Sequence, residues 1–299
     1  MPVSRHVAVT RRATQAVLVA IGGIGLLSLM DAAVKEVATA IPTWEIVFLR
    51  YLFGTLFALP MFLADGGRVP PWTVLRAHLW RSVAVVITAV TFFYALGVLP
   101  LAVTLALSFT APIMIALLAR AGLGERAGVG VFVAIAVGFL GVLTVLGGEL
   151  QRSGTATILG IAAATTAAAS YAVAMVSLKA RAMRDPLSTI VLLQNGFAML
   201  LIAPFAMAVW SPPSTGQLGW FALIGLLGTG GHVALAWAYR HADASRLGAI
   251  EYTAFLWAVA LGLVFFGEVP SLATLAGAAL IIVGAFLAVR AQQVGAPGA

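Results

Sequence analysis

The chain has no cysteine, which excludes disulfides and thiolate metal sites. Charge is almost as scarce: Asp, Glu, Lys and Arg make up 9% of the 299 residues, against 62% apolar residues and a mean hydropathy of +1.07. An ordinary soluble surface cannot be built from such a chain. An intramembrane enzyme would need paired aspartates, a His-rich metal site or a Ser/His pair at workable spacing, yet the four histidines, His6, His78, His232 and His241, form no metal-ligand cluster. Such an enzyme is therefore a remote alternative, and neither metal nor cofactor is expected.

What fills the chain instead is long apolar runs. Stretches of about 20 apolar residues, enough to cross roughly 30 Å of hydrocarbon as helix, fall at 14–36, 43–63, 78–98, 101–120, 127–147, 155–178, 187–209, 217–239, 246–266 and 271–290. The expectation is an all-α integral membrane protein of ten transmembrane helices. Arg5, Arg11 and Arg12 before the first run imitate a signal peptide, but this run is longer than a signal core and belongs to a repeat.

That repeat divides at a polar seam, residues 148–154, into copies at 1–147 and 155–299. A shift of 144 residues lays Lys35 on Lys179, Pro42 on Pro186 and Pro60 on Pro204. Tyr94 falls on Tyr239 at a shift of 145, and Gly124-Glu125 with Gly141 falls on Gly267-Glu268 with Gly284 at a shift of 143. Five spans end on the opposite side of the membrane from their start, so the second copy must be inverted. Inverted copies are a recurring plan of secondary transporters, with the substrate held near the midplane where the copies meet. A channel, a further remote alternative, would show filter loops or rings made by oligomer symmetry.

Sidedness follows from the basic residues. Fourteen of the 17 lie on one face, Lys35 and Arg152 lie on the other, and Arg50 sits inside a span. Since Lys and Arg gather on the cytoplasmic flank, both termini are expected there. The high pI, near 10.6, then reflects attraction to anionic lipid rather than to nucleic acid.

Polar residues inside the spans are the candidate site, because hydrocarbon tolerates them only with a partner or a wet cavity. Asp31 stands four residues before Lys35, the favourable order for a local ion pair, or else serves the site. Arg50, about 10 Å inside the second span at 1.5 Å per residue, either pairs with Asp31 or binds a substrate carboxylate. His78 and Arg81 open the third span, where Trp80 and Arg81 read as interface anchors, and Tyr94 follows. Ser108 precedes Pro112 in the fourth span and Tyr171 lies in the sixth. Gln194-Asn195 lies in the seventh, with Gln194 in register with Arg50. The glycine-rich eighth span brings His232 and Trp237; the ninth brings Glu251 and Tyr252, with Glu251 able to bond Gln194 instead of substrate. Asp31, His232 and Glu251 are the candidate proton carriers. Gly124-Glu125 and Gly267-Glu268 read as helix punctuation.

With Arg50 ahead of Pro60, Pro112 in the fourth span, Gly-Glu at 124–125 and 267–268, and the trailing Gly141 and Gly284, the chain resembles the EamA family of the drug/metabolite transporter superfamily over nearly its whole length. It looks most like bacterial amino-acid and metabolite exporters of the aromatic amino-acid exporter type. Gln194 departs from the pattern, since the repeat would place a second arginine there. The resemblance implies a central cavity lined mainly by spans one, three, four, six, eight and nine. It also implies export across the inner membrane by alternating access, of amino acids with aromatic or other apolar side chains, or alternatively of other metabolites or lipophilic drugs. The expected partners are a small-molecule substrate and the bilayer, with the protein a monomer or homodimer.

Overall fold

The computed structural model describes residues 3–111, 113–115, 118, 129–150, 155–182, 184–241 and 253–294. They form ten α-helices: α1 (Val3–Val37), α2 (Thr43–Ala64), α3 (Trp72–Val98), α4 (Leu101–Ser108), α5 (Val129–Leu150), α6 (Thr155–Ala182), α7 (Leu187–Ala208), α8 (Thr215–His241), α9 (Thr253–Phe266) and α10 (Leu272–Val294). Helix is the form that lets an apolar segment satisfy its own backbone in hydrocarbon. Six of the ten, α1 to α3 and α6 to α8, include stretches long and apolar enough to cross a membrane.

Proline sets where several of them begin. Pro42, Pro71, Pro100 and Pro186 immediately precede α2, α3, α4 and α7, positions where the fixed φ suits a helix start and the missing N–H is not needed. The repeat is visible here, since Pro42 and Pro186 open equivalent helices and Pro60 and Pro204 lie in their closing turns. Two boundaries differ from expectation. Helix α1 reaches back to Val3, and α3 starts at Trp72 rather than 78, which moves Arg81 from the membrane edge to more than two turns inside its helix. The seam's first three residues, Gly148 to Leu150, continue α5. Gly124-Glu125 and Pro112 lie outside the described residues.

The helix contacts obey the repeat. Helix α1 packs on α8 as α3 packs on α6, α2 on α8 as α7 on α3, and α1 on α9 as α6 on α4, while α2–α7, α4–α9 and α5–α10 join equivalents directly. Exchanging the two copies leaves this pattern unchanged, as a pseudo-two-fold axis requires. The copies are also inverted. The α1–α2 connection lies at the end where Lys35 meets Glu268 and Glu45 accepts from Ser211. Its counterpart, the α6–α7 connection, lies at the opposite end, where Asp185 meets His78 and the Arg240 side chain.

Small residues let the copies touch. Gly141 of α5 and Gly277 of α10 face each other so closely that a Cβ on either would stand 2.6 Å from the other's carbonyl oxygen. Backbone contact of this kind supplies the van der Waals packing that holds helices together where no hydrophobic effect separates them from lipid.

Candidate functional site

Between the copies lies a cavity of about 250 Å³. Phe92 and Phe93 of α3, Leu105 and Phe109 from α4 and the turn after it, and Met175 of α6 give it apolar walls. Its polar groups are few and come from facing helices: Asp31, Arg50, Tyr51, Arg81, Gln194 and His232, with the hydroxyls of Ser28, Thr88, Ser108 and Tyr171. On α7 and α8 the lining residues lie in the halves nearer the Asp185 end, whereas on α3 they run from Arg81 past the middle of the helix to Phe93.

Arg50 is 2% exposed and is placed by Asn195, Gly228 and Tyr51. Its Nη1 donates to Asn195 Oδ1 at 2.8 Å, and Asn195 Nδ2 donates to the Val191 carbonyl at 2.9 Å, which turns the amide oxygen toward the arginine. Two glycines make the room. A Cβ on Gly54 would stand 2.5 Å from Asn195 Oδ1, and one on Gly228 would stand 2.9 Å from Arg50 Nη2. Arg50 also lies over the ring of Tyr51, 4.1 Å from its centroid, a cation–π arrangement that is stronger out of water.

Arg81, expected as an interface anchor, is instead 5% exposed inside the cavity wall, whereas its neighbour Trp80 remains 69% exposed. The early start of α3 is the reason. Arg81 Nη2 donates to Gln194 Oε1 at 2.5 Å, so Gln194 serves Arg81. His232 sits one turn after Gly228 and its Nδ1 lies 2.6 Å from the Gly228 carbonyl. A carbonyl only accepts, so Nδ1 carries the proton and Nε2 is the acceptor in the neutral ring.

Five of the ten residues singled out in the sequence line this cavity: Asp31, Arg50, Ser108, Tyr171 and His232. Three do not. His78 is 1% exposed and binds Asp185 Oδ2 through Nε2 at 3.0 Å, near the end of the molecule. Tyr94 lies beyond the lining stretch of α3, and Trp237 stacks on His241 with ring centroids 4.1 Å apart. Glu251 and Tyr252 lie outside the described residues.

The Asp31–Lys35 pair is corrected outright. Lys35 Nζ pairs with Glu268 Oε1 at 3.1 Å and donates to the carbonyls of Leu96 and Leu99 at 3.0 and 2.7 Å. Three oxygens converge on it at the end of α3, and a single neighbouring carboxylate cannot compete. Asp31 is left to the cavity, and Arg50 turns to Asn195 with no ion pair to Asp31 among the described residues. Glu268 also does more than punctuate. Gly267 has the expected left-handed φ of 63°, but Glu268 Oε2 accepts from the backbone N–H of Leu101 at 2.8 Å. It therefore caps α4 from across the repeat boundary.

Sequence reasoning undervalued Tyr51, Arg81, Gln194 and Asn195, and apart from Arg50 it left α2 and α7 out of the main lining. The signal was present: Gln194-Asn195 is the repeat counterpart of Arg50-Tyr51, and two adjacent polar residues in an apolar span need a reason.

Ten helices in two inverted copies around a cavity between them, with a few converging polar groups, follow the plan of a secondary transporter. The chain belongs to the EamA-like transporter family, whose family model matches it twice, at residues 14–147 and 158–290. It is 28% identical to the pseudopaline exporter CntI of Pseudomonas aeruginosa over 93% of this chain and 96% of that one. It is 30% identical to a riboflavin transporter of Rhizobium johnstonii over 85% of this chain and 83% of that one. An S-adenosylmethionine uptake transporter of Rickettsia conorii matches at 24% identity over 87% of this chain and 90% of that protein. A solved crystal structure covers 95% of this chain and 99% of its own with a TM-score of 0.67 at 22% identity, a likeness of fold. The protein is a multi-pass transporter of the bacterial inner membrane, and its partners are the bilayer and a small-molecule substrate.

Proposed function

We propose that the protein exports amino acids with aromatic or other apolar side chains by alternating access, with both termini in the cytoplasm. The observation that carries this reading is the contrast inside the cavity: phenylalanine walls around Arg50, Arg81 and Asp31. Such a site suits a molecule with an apolar body and a charged head, the guanidinium groups taking a carboxylate and Asp31 an ammonium group. On α7 and α8 the lining residues lie toward the end marked by Asp185, which the distribution of Lys and Arg assigns to the cytoplasm. Lys35, Glu268 and the start of α4 are tied together at one end and His78, Asp185 and Arg240 at the other, so alternating access would release one tie at a time. In the opposite state the two copies, 1–147 and 155–299, exchange roles. No homodimer is needed for a path, and Asp31, His232 and Glu251 are the groups through which protons would couple.

The names of the relatives favour a second reading, export or uptake of a larger metabolite. Counterflow into proteoliposomes decides between them. Vesicles preloaded with unlabelled phenylalanine, leucine, glutamate or lysine are tested for uptake of the labelled compound, beside Arg50→Ala. Saturable exchange selective for the apolar side chains, lost in Arg50→Ala, is the expected result. Absence of exchange with every amino acid discards that substrate class.

A further inference from the structure

We infer that Arg81, together with Arg50, forms a seat for the acidic group of the transported compound, so that the substrate class is an organic acid with an apolar or aromatic body. The inference rests on the transporter reading above and specifies what the two guanidinium groups hold.

Both arginines are almost wholly buried, at 2% and 5% exposure. A buried cation is ordinarily stabilised by an acid. Among the described residues neither has one as an ion-pair partner. Arg50 donates to Asn195 and Arg81 to Gln194, two neutral amide oxygens from consecutive positions of α7. An amide oxygen orients a guanidinium but leaves its charge in place. Arg81 carries a further mark, because its Nε is buried without a hydrogen-bond partner. A guanidinium offers five N–H donors in a rigid fork that fits a carboxylate, and an empty buried donor at a cavity wall is a place a ligand oxygen would fill. The described cavity holds one carboxylate, Asp31, against these two cations, which favours an acid over an amine.

Thermal stabilisation of the purified full-length protein is measured with 3-phenylpropionate and with 3-phenylpropylamine, which share a body and differ in the charge of the head. The acid is expected to stabilise the protein saturably and the amine not to. Arg81→Gln is expected to weaken the response to the acid about tenfold or more, the scale for losing a charged hydrogen bond. Gln194→Glu, which gives Arg81 a built-in carboxylate of the same length, is expected to weaken it similarly in a protein that still folds. Equal stabilisation by acid and amine, no stabilisation by the acid, or variants that lose stability while keeping the acid preference would each overturn the inference. Failure of the amino-acid reading is distinguishable: phenylalanine would not exchange while 3-phenylpropionate still bound through Arg81. Conversely, equal exchange of phenylalanine and phenylalaninamide would keep the transporter reading and discard this one.

Discussion

Arg50 in the first copy and Asn195 in the second, one position apart in the repeat register, meet where α2 crosses α7 through a 2.8 Å hydrogen bond. The symmetric scaffold thus uses two adjacent register positions asymmetrically, with charge on one side and a neutral acceptor on the other.

Asn195→Ala removes the acceptor of a nearly buried guanidinium. Leaving such a donor unsatisfied costs about 1.5–3 kcal/mol, so exchange in proteoliposomes is expected to fall about tenfold or more, with Asn195→Ser recovering part of it. Wild-type exchange in the alanine variant would show that Asn195 does not position Arg50.

Gly228→Ala places a methyl group 2.7 Å from Met30 Sδ and 2.9 Å from Arg50 Nη2. Overpacking of this kind costs about 1–3 kcal/mol. The double variant with Met30→Ala relieves the sulfur but not the guanidinium, so the melting temperature is expected to recover in part while transport stays low. Joint recovery of both would remove the arginine from the explanation.

Gly141→Leu is expected to lower the melting temperature in detergent because α5 and α10 cannot separate without breaking backbone contact. Gly147→Leu, on the same helix with nothing within 4 Å of its Cβ position, serves as the control and is expected to be neutral. Equal effects would mean that α5 meets α10 elsewhere.

The latch at the Lys35 end can be read by thiol labelling, since the native chain has no cysteine. In a Ser108→Cys background, Glu268→Ala removes both the ion pair with Lys35 and the cap on α4. Labelling of Cys at position 108 by a membrane-impermeant reagent from the periplasmic side is expected to rise several-fold. Unchanged labelling would mean that this end is closed by other contacts.

The fold was legible because length and hydropathy fix spans, and because Pro42, Pro60, Pro186 and Pro204 fall at equivalent points of two helices. The site was half legible. Asp31 and Arg50 declared themselves as charges in hydrocarbon, and His232 through its depth. Arg81 did not, since its place depended on α3 starting six residues earlier, and a basic residue near a span edge reads as an anchor. Lys35 and Asp31 show the other limit. Spacing of four along a helix permits a pair, but which partner wins depends on what the rest of the chain brings to that helix end, here Glu268 and two carbonyls.

The most extensive helix contacts among the described residues all join a helix of the first copy to one of the second. Synthesis runs from the N-terminus, so the first five helices enter the bilayer before any of these partners exists. Until α7 follows, Arg50 and Arg81 lack the amides that orient them, and until α10 follows, Gly141 faces lipid. The nascent first half is therefore a set of inserted but unassembled helices, the stage at which a quality-control protease or a holding chaperone would meet this protein. Substitutions at Asn195 or Gly277 would lengthen that stage even though they lie in the half made last.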